Sequence, residues 1–286
     1  MRGRSKSTLR TEEAIHEIVA ERAPITVRGV CYALFTQGLI ASMAVNETQR
    51  ISRVMTDMRE RGDLDWTLVV DGSRAVDRVN AWSDPDQIIR AAVNGYRRDY
   101  WQDQDVLIEV WSEKSTVQGV LAPVLEEFGV TFRVMKGFGS FTAVRQAAED
   151  STFAADKAAV ALYLGDWDPS GLYMSEYDLP DRLVRYGGLW DFQRIAITEI
   201  DTKRLPSFDG RTKRGDVRFN WYAERYGLEA WELDAMDPNA LRARVREQIE
   251  TRLNLIAWEH AKQIEAAQVE SMHRFHRAWV AQGGRS

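Results

Sequence analysis

Apolar residues recur at helical spacing in three stretches near the start of the chain. These stretches begin near Thr11, Thr26 and residues 46–48. Because side chains three or four residues apart share one face of a helix, each stretch predicts an amphipathic helix. Thr11 and Thr26 are suitable N-cap residues, while Gly38 and Gly62 are suitable ends for the second and third helices.

A β pattern follows the third predicted helix over residues 64–70, and Asp71-Gly72 then favours a turn. Three helices followed by a short β-wing predict a winged helix, a module whose last helix usually enters a DNA groove. The candidate DNA-binding residues on that helix are Arg50, Arg53 and Arg59. A solvated charged helix face is the alternative interpretation of the three arginines.

From residue 105 onward, strand patterns alternate with helix patterns. The predicted strands cover 105–111, 130–135, 158–164 and 192–200, with helices that begin at Ser115 and after a turn at 137–140. This alternation predicts an α/β fold with a mostly parallel sheet and helices on both of its faces. The predicted domains are an N-terminal helical module at 1–80, the sheet domain at 100–235 and a C-terminal helical extension at 236–286, which opens at Asp237-Pro238.

Composition limits the protein classes to consider. The 286 residues contain no run of about 18 apolar positions, so we expect no membrane-spanning helix. Cys31 is the single cysteine, which excludes an intrachain disulfide and fits a reducing, cytoplasmic location. The net charge is −5, yet residues 1–62 contain ten Lys/Arg and seven Asp/Glu. A basic front and an acidic remainder suit a DNA-binding module joined to a metal site, although chance scatter of surface charge is the alternative.

Three acidic residues follow predicted strands directly. Glu113 comes after the first strand of the sheet, and Asp166 and Asp168 come after the third. Open α/β sheets bind ligands at the carboxyl ends of their strands, and residues i and i+2 of an extended stretch point the same way. Carboxylate oxygens suit Mg²⁺, with Mn²⁺ as the alternative ion, and the lack of a nearby His/Cys cluster argues against zinc. A capped turn is the alternative interpretation of Asp-x-Asp-Pro-Ser-Gly.

Arg28 and Tyr32 stand four residues apart in the second predicted helix and therefore lie on one face. A tyrosine hydroxyl is a poor nucleophile at neutral pH unless a neighbour stabilises the phenolate. The Arg28 guanidinium could stabilise it, or could hold a phosphate in place. Most tyrosines on amphipathic helices are core or interface residues, so this pair alone leaves both interpretations open.

Three motifs in order resemble one protein family. Ser112-Glu113-Lys114 and residues 165–171 (GDWDPSG) resemble a Toprim domain, the acid-and-metal module of topoisomerases, primases and some nucleases. Residues 26–32 (TVRGVCY) and 59–66 (RERGDLDW) resemble the winged helix of type IIB topoisomerase A subunits and of the meiotic double-strand-break transesterase. Residues 230–236 (AWELDAM) resemble a further stretch of that family. The resemblance spans roughly residues 20–240, and the short chain is most similar to the compact mini-A relatives of mobile elements.

The resemblance implies a winged helix at 1–80 followed by a Toprim domain at 100–235. It assigns Tyr32 as the nucleophile that becomes linked to a 5′ phosphate of DNA, with Arg28 beside it. It assigns Glu113, Asp166 and Asp168 as ligands of Mg²⁺, with Glu113 also able to act as general acid or base. The family often has two aromatic residues where this chain has Cys31-Tyr32.

The same resemblance implies double-stranded DNA as substrate and a homodimer in which the tyrosine of one subunit meets the metal of the other. The chain lacks the phosphate-binding motif GxxxxGK[ST], so an ATPase B-type subunit would have to be another chain. Two alternatives remain. The first is a metal-dependent DNA nuclease without a covalent intermediate, and the second is a winged-helix DNA-binding protein without catalytic activity.

Overall fold

The computed structural model describes residues 6–70, 81–135, 141–154 and 156–282. Its helices are α1 (Lys6–Arg22), α2 (Val27–Thr36), α3 (Val45–Glu60), α4 (Pro85–Gly95), α5 (Thr116–Phe128), α6 (Phe141–Phe153), α7 (Pro169–Tyr173), α8 (Leu179–Arg185), α9 (Glu199–Thr202), α10 (Phe219–Tyr226), α11 (Pro238–Glu250) and α12 (Leu255–Ala281). Its strands are β1 (Ile25–Thr26), β2 (Val69–Val70), β3 (Val106–Ser112), β4 (Thr131–Val134), β5 (Ala158–Leu164), β6 (Asp191–Ala196), β7 (Phe208–Asp209) and β8 (Glu229–Ala230). The predicted turns at Asp71-Gly72 and 137–140 lie outside the described residues.

The central sheet has four strands in the order β4-β3-β5-β6. Strands β3 and β4 pair in parallel, as do β5 and β6, and helices connect the strands along the chain. In β5 every residue after Ala158 is buried, which is typical of a strand that is covered on both faces. The prediction of an α/β fold with a mostly parallel sheet is therefore confirmed.

The front helices α1, α2 and α3 pack around an apolar core. Its fully buried members include Ile15, Ile18, Leu34, Ile51 and Met55. The predicted start of α2 is confirmed, because the Thr26 hydroxyl accepts a hydrogen bond from the backbone N–H of Gly29 at 2.8 Å.

Helix α1 begins earlier than the sequence suggested. It starts at Lys6, so Thr11 lies inside the helix as a buried residue rather than at its N-cap. The stretch 6–10 contains neither Pro nor Gly and includes Lys, Leu and Arg, which favour helix. A cap residue marks a helix start only where the residues before it cannot extend the helix.

The β pattern at residues 64–70 forms less strand than expected. Only Val69–Val70 pair, in parallel, with Ile25–Thr26. The Asp65 carboxylate accepts hydrogen bonds from the backbone N–H and the hydroxyl of Thr67, both at 2.8 Å, and this cap holds 66–68 in a 3-10 turn. The local cap therefore outweighs the β propensity of the apolar residues.

Caps also shorten two other predicted elements. Strand β6 ends at Ala196 rather than at residue 200, because Thr198 and Asp201 form a capping box that starts α9. Helix α11 starts at Pro238 under the Asp237 cap, as predicted. The apolar pattern that continues beyond it belongs to a second helix, α12, whose start is capped by the Asn254 side chain.

The described residues group into two compact units. The first unit comprises the ranges 1–72 and 108–251 and thus combines the front helices with the sheet. Within it, Arg242 of α11 donates hydrogen bonds to the backbone carbonyls of residues 22–24 and Val120, which ties the front helices to α5. No helix among the described residues is long and apolar enough to cross a membrane.

The second unit comprises the ranges 73–107 and 252–286. Its helices α4 and α12 contact each other, and Tyr96, which directly follows α4, donates a hydrogen bond to Gln268 of α12 at 2.7 Å. Helix α4 was missed in the sequence, although Asp84-Pro85 is a standard helix start and Asp84 does cap it. His276 of α12 lies half-buried with its Nε2 2.6 Å from Asp86.

Candidate active site

The three predicted acidic residues lie at the carboxyl edge of the parallel sheet. Glu113 directly follows β3, and Asp166 and Asp168 follow the neighbouring strand β5. This position arises because the apolar strand sequences end just before the acids, so the chain turns out of the sheet at that edge. The fold thus brings the acids of two separate sequence segments to adjacent strand ends.

Asp166 is a buried carboxylate with two close donors. Its Oδ1 lies 2.8 Å from the amine of Lys114 and accepts a hydrogen bond from the backbone N–H of Leu233 at 2.7 Å. Burial raises the pKa of Asp166, and the Lys114 amine opposes that shift. The Lys114 amine therefore neutralises part of the negative charge of the carboxylates at this edge of the sheet.

Asp168 is 2% exposed and caps α7. Its Oδ1 accepts hydrogen bonds from the backbone N–H of Gly171 at 2.7 Å and from the Ser170 hydroxyl at 3.0 Å. Its Oδ2 lies 3.3 Å from the amine of Lys213. Asp168 therefore forms the capped turn that was the alternative interpretation, while its second oxygen remains directed at a cation.

Glu113 differs from the two aspartates because its carboxylate accepts no hydrogen bond from the part of the chain that the structure describes. Burial, followed by the charges of Asp166 and Asp168, raises the pKa of Glu113 to about 7. The three acids therefore interact electrostatically, and the charges of Lys114 and Arg194 only partly oppose the shift at Glu113.

The chemistry of these donors fits a hard divalent cation. Three carboxylates with excess negative charge match the preference of Mg²⁺ for oxygen ligands. In the described ranges, however, no group of three His, Cys, Asp or Glu side chains is already arranged around one metal position. The amines of Lys114 and Lys213 stand at Asp166 and Asp168 instead, so a metal would have to compete with these two ion pairs.

A short turn of the chain, residues 232–234, joins the acidic edge to the front helices. Leu233 donates its backbone N–H to Asp166, and the side chains on either side of it contact α2 and its N-cap residue. Asp234 accepts a hydrogen bond from the Thr26 hydroxyl at 2.7 Å and pairs with Lys114 at 3.0 Å. Although burial alone would raise it, the pKa of Asp234 is lowered because Lys114 and Thr26 favour the carboxylate.

Glu232, at the start of that turn, engages both predicted residues of α2. Its carboxylate forms a bidentate ion pair with Arg28, in which Nη2 lies 2.7 Å from Oε1 and Nε contacts Oε2. The Tyr32 hydroxyl lies 3.3 Å from Oε2 of Glu232. The sequence placed Arg28 and Tyr32 on one helix face, and the structure brings them together around a third side chain.

The Tyr32 side chain is 5% exposed, and its hydroxyl is not activated in this arrangement. Burial and the charge of Glu232 raise the pKa of Tyr32, while Arg28 opposes the shift from 5.8 Å over the ring. The phenol is therefore protonated at neutral pH, and the guanidinium neutralises Glu232 instead of stabilising a phenolate. A carboxylate within reach of the hydroxyl is, however, a suitable proton acceptor.

The three arginines of α3 do not share one environment. Arg50 and Arg53 are exposed, and Arg50 pairs with Glu47 at 3.0 Å. Arg59, in contrast, is 5% exposed, lies over the Trp66 ring at 4.7 Å and donates a hydrogen bond to the carbonyl of Met55. The expectation that all three are displayed toward DNA therefore needs correction at Arg59, because its guanidinium packs on Trp66.

Arg194 of β6 stabilises the loop that carries Asp166 and Asp168, and it was not among the site residues predicted from the sequence. Its guanidinium donates hydrogen bonds to the carbonyls of Gly165 at 2.9 Å and Gly171 at 2.8 Å, which flank the two aspartates. Burial lowers the pKa of Arg194, against the charges of neighbouring acids. An arginine inside the apolar strand sequence FQRIA was the available signal, since a buried charge needs partners.

Comparisons with known proteins add no relative to this picture. No family model, curated protein or solved structure matches the chain. The interpretation of the site therefore rests on its own geometry and on the motifs described above.

Proposed function

We propose that this chain is a Mg²⁺-dependent DNA-cleaving transesterase, with a winged helix and a Toprim domain arranged as in type IIB topoisomerase A subunits. The observation that supports this proposal best is the 232–234 turn. It places Glu232 against the Tyr32 hydroxyl and the Leu233 N–H against Asp166, so one short segment connects the tyrosine helix with the acidic edge.

In the proposed reaction, the Tyr32 oxygen forms a bond to a DNA phosphorus and the bond from that phosphorus to the 3′ oxygen breaks. The Tyr32 proton passes to Glu232, and the leaving 3′ oxygen takes a proton from Glu113. The products are a 5′ phosphotyrosine and a free 3′ hydroxyl. Arg28 exchanges its pair with Glu232 for the phosphate, because a guanidinium binds both groups in the same bidentate manner.

Asp166 and Asp168 would hold Mg²⁺ or Mn²⁺, and Glu113 would join them as a ligand in the steps in which it carries no proton. When bound, such an ion supplies positive charge that stabilises the phosphate oxygens and the leaving oxygen. On this proposal Lys114 and Lys213 neutralise the two aspartates between catalytic cycles. Exposed Arg50 and Arg53 contact the DNA backbone, where arginines supply affinity rather than sequence preference.

The proposal includes a cytoplasmic homodimer that cuts the two strands of one duplex. The resemblance implies that each tyrosine acts beside the acids of the other subunit, whereas the 232–234 turn joins Tyr32 to Asp166 within one subunit. Strand passage would need an ATPase B-type subunit on another chain, since this chain has no phosphate-binding loop motif. Cleavage without strand passage needs neither ATP nor that subunit.

The test is incubation with internally labelled supercoiled DNA and Mg²⁺ or Mn²⁺, followed by denaturation and protease digestion. We expect breaks whose 5′ ends stay attached to a peptide, and we expect Tyr32→Phe and Asp166→Ala to abolish them. Glu126→Gln, a change on the exposed face of α5, serves as the control that should cleave normally. Breaks with free 5′ ends that persist in Tyr32→Phe would contradict the transesterase.

The specific observation that favours a second candidate, a hydrolytic nuclease, is the environment of Glu113. A carboxyl with a pKa of about 7 that accepts no hydrogen bond within the described ranges can take a proton from an attacking water. In such an enzyme Tyr32 is a structural residue. Free 5′ ends in the cleavage experiment, together with loss of cleavage in Glu113→Gln, identify this candidate.

A further inference from the structure

A strongly basic segment lies beside the acidic edge. Residues 203–218, here called the basic segment, contain two acids, Asp209 and Asp216, in a chain whose net charge is −5. Its six basic residues are Lys203, Arg204, Arg211, Lys213, Arg214 and Arg218. The segment therefore has a net charge of +4, opposite in sign to the molecule that contains it.

The basic segment is fixed to the residues that flank the two aspartates. Strand β7 within it pairs with β8, and the next residue, Trp231, bridges to Trp167 through two backbone hydrogen bonds of 2.8 and 2.9 Å. Trp167 stands between Asp166 and Asp168 in the chain. The Trp231 indole also donates a hydrogen bond to the carbonyl of Leu205 at 3.1 Å. Trp231 therefore binds both Trp167 and the basic segment.

One member of the basic segment reaches the acidic edge directly, since the Lys213 amine lies 3.3 Å from Asp168. Three of the other basic side chains are exposed on the surface. Arg204, Arg211 and Arg214 are exposed, and the Arg211 pair with Asp209 is also exposed at both partners. Exposed ion pairs of this kind contribute little, so a phosphate can replace the carboxylate at small cost.

Three carboxylates repel the phosphates of any DNA strand that approaches them. A positive segment attached next to them offsets this repulsion and draws the strand toward the edge. We infer that the basic segment is a second DNA-binding surface, which holds phosphates of the strand that enters the acidic edge, in addition to the contacts made by α3. This inference rests on the proposed function for the choice of DNA as the ligand.

The test measures binding separately from cleavage. A triple variant, Arg204→Gln with Arg211→Gln and Arg214→Gln, is compared with wild type for a short fluorescein-labelled duplex in EDTA, over about 50 to 200 mM salt. Each phosphate contact contributes about 0.9 to the slope of log affinity against log salt, so the slope should flatten by about 2 to 3. The affinity at the lower salt concentration should fall at least about tenfold.

The matched control removes three exposed positive charges elsewhere: Arg145→Gln with Arg185→Gln and Lys262→Gln. We expect the control to keep the wild-type slope. Equal flattening in both triple variants, an unchanged slope in the first, or no duplex binding by wild type would each overturn the inference. Flattening in the first variant alone supports it even if Tyr32→Phe cleaves like wild type, so the binding surface and the transesterase are tested independently.

Discussion

Glu113 and Glu232 show how two glutamates of one site acquire different chemistry. Glu113 interacts electrostatically with Asp166 and Asp168, whereas Glu232 forms an ion pair with the guanidinium of Arg28. Burial and the charges of the two aspartates raise the pKa of Glu113 to about 7, whereas Glu232 forms two contacts with one guanidinium. The two side chains therefore differ in their neighbours, which are like charges at Glu113 and an opposite charge at Glu232.

The raised pKa of Glu113 makes the stability of the metal-free protein depend on pH. The folded protein holds this proton up to about pH 7, while the unfolded chain releases it near its ordinary value of 4.5. Raising the pH through this window therefore favours the unfolded state, by up to about 3 kcal/mol. We expect Glu113→Gln to be more stable than wild type at about pH 8 and similar to it below about pH 4.5, in denaturant titrations with EDTA.

Glu126→Gln is the control for that comparison, because it removes an exposed glutamate of the next helix. Its difference from wild type should be small and the same at both pH values. The assignment of a proton to Glu113 is contradicted if Glu113→Gln is less stable than wild type at about pH 8 by as much as at low pH.

Glu232 is expected to matter for the reaction of Tyr32 more than for DNA binding. Glu232→Gln removes the proton acceptor of the hydroxyl, a role that typically contributes a factor of about 10² to 10⁴. We therefore expect formation of the covalent 5′ adduct to slow by that factor, while duplex affinity in EDTA stays equal or increases. Glu229→Gln, three residues earlier and exposed, should change neither quantity. Adduct formation at the wild-type rate in Glu232→Gln would show that Glu232 is not the proton acceptor.

At the residue scale, the sequence alone could place the acids but not their partners. Glu113, Asp166 and Asp168 follow apolar strands, so their location at one sheet edge follows from the topology. The contact of Tyr32 with Glu232 joins residues 200 positions apart, and nothing local to either residue predicts it. The position of Arg194 inside an apolar strand indicated that it needs partners, but its acceptors lie in the loop after another strand and could not be identified from the sequence.

Helix α3 has an exposed face and a buried face, and its arginines divide between them. Arg53 points to solvent, while Arg59 packs on Trp66. We expect Arg53→Ala to reduce the salt slope of duplex binding by about 1 and to leave the free energy of unfolding unchanged. We expect Arg59→Ala to lower the free energy of unfolding by about 1 to 3 kcal/mol, since it removes a buried stacked guanidinium.

Denaturant titrations and duplex binding on the same two proteins check this pair of expectations. If Arg59→Ala weakened DNA binding without any loss of stability, the stabilising role assigned to the packing of Arg59 on Trp66 would be wrong. If Arg53→Ala had no effect on binding, α3 would not be the helix that contacts DNA.

At the element scale, capping residues explain both the successes and the errors of sequence-based prediction. Thr26 and Asp237 were expected to start helices, and both side chains do accept backbone N–H groups there. Two caps were overlooked, Asp65 within one apolar β pattern and the Thr198–Asp201 capping box at the end of another, and each replaces predicted strand by a helical turn. A single well-placed carboxylate can therefore outweigh several β-favouring residues at the end of a strand.

At the scale of the whole molecule, apolar runs separated by helix patterns were sufficient to predict the parallel sheet. The division of the chain into two compact units was not predictable from the sequence. The first unit takes its residues from two ranges that are separated by a segment of the second unit. Long-range contacts such as those of Arg242 with the carbonyls of residues 22–24 create that unit. They depend on the folded geometry rather than on any local pattern.

Composite sites shared between two subunits can be tested by mixing inactive variants. We propose that Tyr32 of one subunit acts beside the acids of its partner. A heterodimer of Tyr32→Phe and Asp166→Ala, purified through two different tags after co-expression, then retains one intact site and one site with both defects. We expect each homodimer to be inactive and the heterodimer to nick supercoiled DNA without producing linear DNA.

The experiment distinguishes a site shared between subunits from a site within one subunit, because the two defects are distributed differently between the sites in the two cases. In that case every site of the heterodimer contains one defect, and the mixture is as inactive as the two homodimers. Nicking by the heterodimer therefore requires that the tyrosine and the acids come from different subunits. An inactive heterodimer instead assigns the reaction to a single chain, in which the 232–234 turn joins Tyr32 to Asp166.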